Sequence, residues 1–270
     1  MVSNLILHIP HASDNIPDRA GYVVTDDRLK QEMSLLTDWY TEELFAFEGC
    51  IRCVADFNRV FCDVERFADD NRESMSTVGM GVAYTKCDDG SELRNVSPEL
   101  KASILNDYYY PHHQKLSNAV AEQLERDGRA LIIDCHSFAN EPFNRDLDKK
   151  TPRPAICIGT DGFHTPEGLI TFTYNYFKFA GYKVQINTPY SGSMVPLEYY
   201  QQDNRVHSMM IEVNRDVYMV PGTNTKGRNY VKIKRAINKY LYKVRELMYC
   251  DYPHLSNEAS AIPLPPAREI

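Results

Sequence analysis

No long apolar run occurs anywhere in the sequence. The longest, Leu5 to Pro10 and Ala130 to Cys135, fall far short of the ~20 residues that a membrane-spanning helix needs, so no membrane role is expected. Positive charge is not concentrated either: the formal net charge is -7, and the 30 lysines and arginines are scattered except near residues 226–245. This pattern argues against nucleic acid as a partner, and an anionic substrate would have to be met by local basic groups. Seven cysteines, odd in number and irregularly spaced, fit reduced thiols in the cytosol better than a disulfide framework. Cys50 and Cys53 form one CxxC without a second pair, and they read as buried strand residues. The start, Met-Val-Ser-Asn, has no basic segment and no cleavage site, so a cytoplasmic location is expected. Internal repeats and low-complexity segments are absent.

What is present is an ordinary globular composition, 43% hydrophobic and 25% charged over 270 residues, enough for one large domain with a buried core. We expect residues 1–252 to form that domain and the proline-containing stretch 253–270 to be a tail. Strands are expected at Leu5 to Pro10, 51–57, Ala130 to Asp134, Ala155 to Gly159, Lys183 to Asn187 and Ser208 to Val213. Helices are expected over 26–48, from Ser97 to about Arg126 with Gly128 as C-cap, over Pro166 to Ala180, and over 226–248 with its basic residues on a solvated face. Residues 58–71 look too charged for a core. Alternation of strand and helix points to an α/β fold with a largely parallel sheet, in which ligands bind beyond the carboxyl ends of strands.

Several polar residues fall at those ends. His11 follows an apolar run closed by Pro10, and His136 follows Ile132-Ile133-Asp134-Cys135. Two imidazoles in matching positions suit a catalytic zinc, which typically takes three protein ligands and leaves a place for water. Cys135 would point away from His136 if the strand continues. The residues alone leave the third ligand open between Asp14, Asp38 and His8, with His8 reading better as a core residue. Asp38 lies among apolar neighbours, where an unpaired carboxylate is costly. Glu212 ends a very apolar stretch and fits a general base, or a salt bridge to Arg215 or Arg59. In Asn58-Arg59-Val60-Phe61-Cys62-Asp63-Val64-Glu65-Arg66, either arginine could grip a substrate carboxylate while Asp63 and Glu65 orient it; a surface ion-pair network is the alternative. Tyr190 in the loop after the 183–187 strand, and Tyr110-Pro111-His112-His113, could also face the site.

In order along the chain, His8-Ile9-Pro10-His11-Ala12-Ser13 with Ile16-Pro17, Thr37-Asp38-Trp39-Tyr40, Asn58-Arg59-Val60 with Asp63 and Arg66, and Tyr110 with His113 are followed by three more segments. These are Asp134-Cys135-His136-Ser137, Pro189-Tyr190-Ser191-Gly192, and Ile211-Glu212-Val213-Asn214-Arg215 with Tyr218-Met219. Together they resemble the N-formylglutamate amidohydrolase family, which is related to zinc carboxypeptidases and aspartoacylases. The resemblance implies a phosphorylase/hydrolase-like three-layer α/β/α sandwich with a mixed, mainly parallel sheet. It also implies one divalent ion, Zn2+ in the first place, and hydrolysis of a small anionic N-acyl amino acid such as N-formyl-L-glutamate. It further implies His11, Asp38 and His136 as metal ligands, with Asp38 favoured over Asp14, and Glu212 as general base. Arg59, Arg66, Asn58, Ser137, Tyr190 and Asn214 are implied as substrate-binding residues. Two departures from the family pattern, Ser13 after the His-Ala pair and Ser193 after Gly192, bear on the substrate-facing backbone. The rival readings are a zinc carboxypeptidase or deacylase acting on peptides or cell-wall fragments, which would need a wide cleft, and a non-catalytic amino-acid-binding relative.

Overall fold

Side-chain alternation along the central strands sorts the core into two halves. The structure, a computed structural model, describes residues 5–249; the expected tail, 253–270, lies outside the described residues. Strands β1 (Ile6–Ile9), β2 (Ile51–Val54), β3 (Ala130–Phe138), β4 (Ile156–Gly159), β5 (Val184–Ile186) and β6 (Val206–Asn214) form one sheet in the order β2-β1-β3-β6-β4-β5. Every pairing is parallel except β4 against β6. Leu131, Ile133 and Cys135 of β3 share one face with Leu7 and Ile9, and they pack with Phe177 of helix α5 (Glu167–Phe179) and Ile237 and Leu241 of α6 (Tyr230–Tyr249). Ile6, Ala130 and Ile132 turn to the opposite face and meet Leu116 and Val120 of α4 (Tyr110–Asp127). Apolar side chains on both faces are what a sheet between two helical layers demands, and the result is a three-layer α/β/α sandwich, as the resemblance implies.

Most expected elements form, with informative differences. The helix expected over 26–48 is two: α1 (Asp26–Leu36) and the short α2 (Thr41–Leu44). Thr37 closes α1 by donating both its amide and its hydroxyl to the Met33 carbonyl, and Tyr40 then takes a left-handed conformation with φ 66°. Asp38 therefore sits in a turn pinned by its amide to the His11 carbonyl at 2.9 Å, not on a helix.

The second expected helix is continuous but carries one π turn, Leu105–Tyr109, between α3 (Pro98–Ile104) and α4, and Gly128 caps it at φ 72°. Residues 58–71 were expected to be too charged to bury, yet Asn58, Val60, Phe61, Cys62, Asp63 and Val64 are all core. The charge is tolerated because Asp63 accepts two hydrogen bonds from Arg59 and one from the Tyr84 hydroxyl. Strand β3 runs on past Asp134, so His136 lies within a strand.

On α6 the basic residues Lys232, Arg235, Lys239 and Lys243 are exposed, as expected for a solvated face. No helix among the described residues is long and apolar enough to cross a membrane.

Candidate active site

Strand register brings the ionisable residues together. His8 of β1 pairs with Asp134 of β3, and His136 of β3 pairs with Glu212 of β6. Because alternate residues share a face, Asp134 and His136 lie on the α4 side with Ile132, while Cys135 turns into the opposite core. His11 enters from the loop that follows β1. The segment after β2 folds over these strand ends and delivers Arg59, Asp63, Glu65 and Arg66.

Two groups of three potential ligands converge among the described residues, His11–Glu65–His136 and His8–Glu65–Asp134, with the donor atoms of each group within 4.8 Å of one another. In the first, Glu65 Oε1 is 3.1 Å from His136 Nε2 and Oε2 is 3.7 Å from His11 Nε2. Both histidines meet further carboxylates: Asp63 shares His11 Nε2 with Glu65, and Asp38 faces Nδ1 of both rings, at 3.8 Å from that of His11. Asp38 Oδ2 lies 3.1 Å from His136 Nδ1, and Asp63 Oδ1 lies 2.9 Å from His11 Nε2. Asp38 is fixed in turn by Arg215, whose Nη2 donates to Oδ1 at 3.2 Å. In the second group both His8 nitrogens are engaged, Nδ1 with Asp134 at 2.7 Å and Nε2 with His112 Nε2 at 2.9 Å. Asp134 also meets His136 Nε2 at 3.0 Å and accepts the Met194 amide.

The electrostatics favour a cation at the first group. Burial alone would push the His136 imidazole down, but Glu65, Asp134 and Asp38 outweigh it and raise its pKa well above the ordinary value. The pocket thus stabilises positive charge at that point. Asp134 and Asp63, although buried, are held well below the usual carboxylate range, Asp134 by His136 and His8 and Asp63 by Arg59, His11 and Arg66. Burial, with Arg59 beside it, lowers His11, so it stays neutral, and its Nδ1 is a buried nitrogen with no hydrogen-bond partner. Five carboxylates, Asp38, Asp63, Glu65, Asp134 and Glu212, face three guanidiniums, Arg59, Arg66 and Arg215. The neutral His11 imidazole with a free nitrogen and the His/carboxylate donor set around it fit one divalent ion.

Glu212 Oε2 and Arg66 Nε are likewise buried with no hydrogen-bond partner. Burial pushes the Glu212 carboxyl up to about 8, opposed by His136 and reinforced by Asp38 and Glu65. A cation nearby would draw that value down toward neutrality, the range suited to proton transfer.

A cleft of about 300 Å³ opens beside the cluster, and Glu65, Arg66 and Asp134 form part of its wall. Arg66 is 23% exposed, with Nε 3.8 Å from Asp63. Arg59 is instead committed to Asp63 through Nε and Nη2.

The other residues expected to bind substrate are engaged in structure. Asn58 donates to the Ser13 carbonyl and the Thr37 hydroxyl and accepts the Val60 amide. Ser137 accepts from Arg215, Asn214 donates to Asn140 and the Pro154 carbonyl, and the Tyr190 hydroxyl lies between Arg153 and Asp146. Asp14 is exposed. His113 bonds the Val64 carbonyl.

Sequence reasoning gave Glu65 only the task of orienting arginines and gave Asp134 no role at all. Its spacing of two from His136 on one strand was the available signal.

Among known proteins, the chain is 24% identical over 229 residues to an N-formylglutamate deformylase of Pseudomonas aeruginosa, which covers 80% of this chain and 82% of that one. In structure it matches an N-formylglutamate amidohydrolase from Ralstonia eutropha JMP134, with TM-score 0.79, 23% identity and coverage of 92% and 94% of the two chains. A gene product of Agrobacterium tumefaciens matches with TM-score 0.60 and 18% identity over 91% and 87%. The model of the N-formylglutamate amidohydrolase family aligns with residues 3–219, and the chain belongs to that family.

Proposed function

We propose that the protein is a metal-dependent amidohydrolase that cleaves the amide bond of a small N-acyl amino acid. The observation that carries this reading is the convergence of His11, Glu65 and His136 at the strand ends, with Glu212 in register opposite His136. These three residues would hold the ion, His11 through its unpartnered Nδ1, with zinc the first choice for a His-His-carboxylate set; Asp38, first favoured as the third ligand, is assigned to orienting His136 through Nδ1, and Asp63 to orienting His11 through Nε2. A divalent ion in that place would acidify water and polarise an acyl carbonyl.

The chain supplies the rest. Glu212 accepts a proton from the water whose oxygen adds to the acyl carbon, then returns it to the amine nitrogen as the C–N bond breaks, leaving a carboxylic acid and a free amino acid. Arg66 on the cleft wall holds the substrate carboxylate. The cleft of about 300 Å³ is at the lower end of small-molecule sites, which favours a single acylated amino acid over a peptide or cell-wall fragment. The names of the relatives make the N-formyl group the first acyl group to test, with N-formyl-L-glutamate as the reference substrate.

The test is release of formate by zinc-loaded protein from a panel of N-formyl-L-amino acids that includes glutamate. The reading predicts turnover that a chelator abolishes and one equivalent of zinc restores. No formate from any member of the panel would overturn it.

A further inference from the structure

The cleft beside Glu65 is poor in cations. Of the described residues that line it, Arg66 alone carries a fixed positive charge, and Glu65 and Asp134 contribute two carboxylates. His113 is also there, but its Nε2 is spent on the Val64 carbonyl at 2.8 Å. Arg59, the other arginine of the same segment, is turned to Asp63 and does not line the cleft. Apart from the uncharged Ser191-Gly192-Ser193 turn, the remaining wall is apolar and aromatic, with Phe67, Tyr109, Val195, Leu197, Tyr200 and Met210. Three of these, Leu197 at 55% and Phe67 and Tyr200 at 38% each, are exposed large hydrophobics.

Building on the amidohydrolase reading above, we propose that the preferred substrate is an N-acyl amino acid with a single carboxylate and an apolar side chain of the size of leucine or methionine, not an acidic one. One guanidinium can pair with one carboxylate. The second carboxylate of an N-acyl glutamate would have to lose water against leucine, methionine and aromatic surface with no second guanidinium on the wall to receive it, which is unfavourable. An aliphatic side chain gains from the same surface, since a single methylene in an apolar pocket changes specificity by about 10–200-fold.

The experiment compares kcat/KM of the zinc-loaded protein for N-formyl-L-leucine, N-formyl-L-methionine, N-formylglycine and N-formyl-L-glutamate, following formate. Leucine and methionine derivatives should exceed both glycine and glutamate derivatives by about 10-fold or more. The variant Leu197→Arg adds a second cation at an exposed wall position and should shrink the leucine-to-glutamate ratio several-fold by raising the glutamate value. A glutamate derivative processed as well as or better than the leucine derivative by the unmodified protein overturns this proposal while leaving the amidohydrolase reading intact. An unchanged ratio in Leu197→Arg also overturns it. Failure of every N-formyl amino acid removes both.

Discussion

Replacing Asp38 by Asn separates a metal ligand from a residue that orients one. Asp38 Oδ2 is 3.1 Å from His136 Nδ1, and Oδ1 is 3.2 Å from Arg215 Nη2. Glu65 faces the Nε2 side of the same imidazole at 3.1 Å. An asparagine oxygen can still accept from Nδ1, so the ring keeps its direction but loses the negative charge behind it. Loss of such a backing group costs about 10–100-fold in metal affinity, which corresponds to about 1.4–2.7 kcal/mol. Glu65→Gln, which removes a proposed ligand, should cost more than that range. Asp38→Asn also leaves the Arg215 guanidinium without its carboxylate, and breaking a buried ion pair costs up to about 3–5 kcal/mol, so thermal melting must first show that the variant folds. The assay is zinc titration against a competing chromophoric chelator, run on Asp38→Asn, Glu65→Gln and unmodified protein. A larger loss of affinity in Asp38→Asn than in Glu65→Gln would refute the assignment and return Asp38 to the ligand set.

Two further substitutions follow from the same geometry. Glu212→Gln removes the proposed proton acceptor but no proposed ligand, so zinc content should stay at the unmodified level while kcat falls by about 100- to 10,000-fold; near-normal turnover would exclude Glu212 as the base. Arg66→Ala removes the cleft's guanidinium while Arg59 continues to neutralise Asp63, and a hydrogen bond to a charged group is worth about 1.5–3 kcal/mol. KM should therefore rise roughly 10- to 100-fold with a smaller change in kcat, because the substrate carboxylate is held alike before and during reaction. A fall in kcat at constant KM would place Arg66 in a different role.

The parts of the site that could be read from the sequence were ionisable residues breaking an apolar run. His11 after Pro10, His136 after Ile132 and Ile133, and Glu212 after Met209 to Ile211 all announce a strand that carries chemistry, since such groups are expensive in a core without a partner. The sheet and its flanking helices follow from the same runs. Glu65 was harder to read because it lies beside Asp63 and Arg66, where a local ion pair explains a glutamate equally well. Only the folding of residues 58–66 over the strand ends turns it toward His136. Asp38 was recognisable as a carboxylate in apolar surroundings, but its position behind the imidazole depends on the end of α1 at Thr37 and the left-handed Tyr40. Helical periodicity, which runs through both, hides that break. His8 was read as a core residue, and it is buried; its contacts with Asp134 and His112 come from register and from packing of α4 on the sheet, neither of which sequence spacing specifies.

The most direct test of the central claim is anomalous diffraction at the zinc edge from crystals grown with one equivalent of zinc. A single strong peak within bonding distance of His11, Glu65 and His136, with Asp38 and Asp63 behind the two imidazoles, is the predicted result. A peak bonded instead to His8 and Asp134, or coordinated by Asp38 in place of Glu65, would contradict the account.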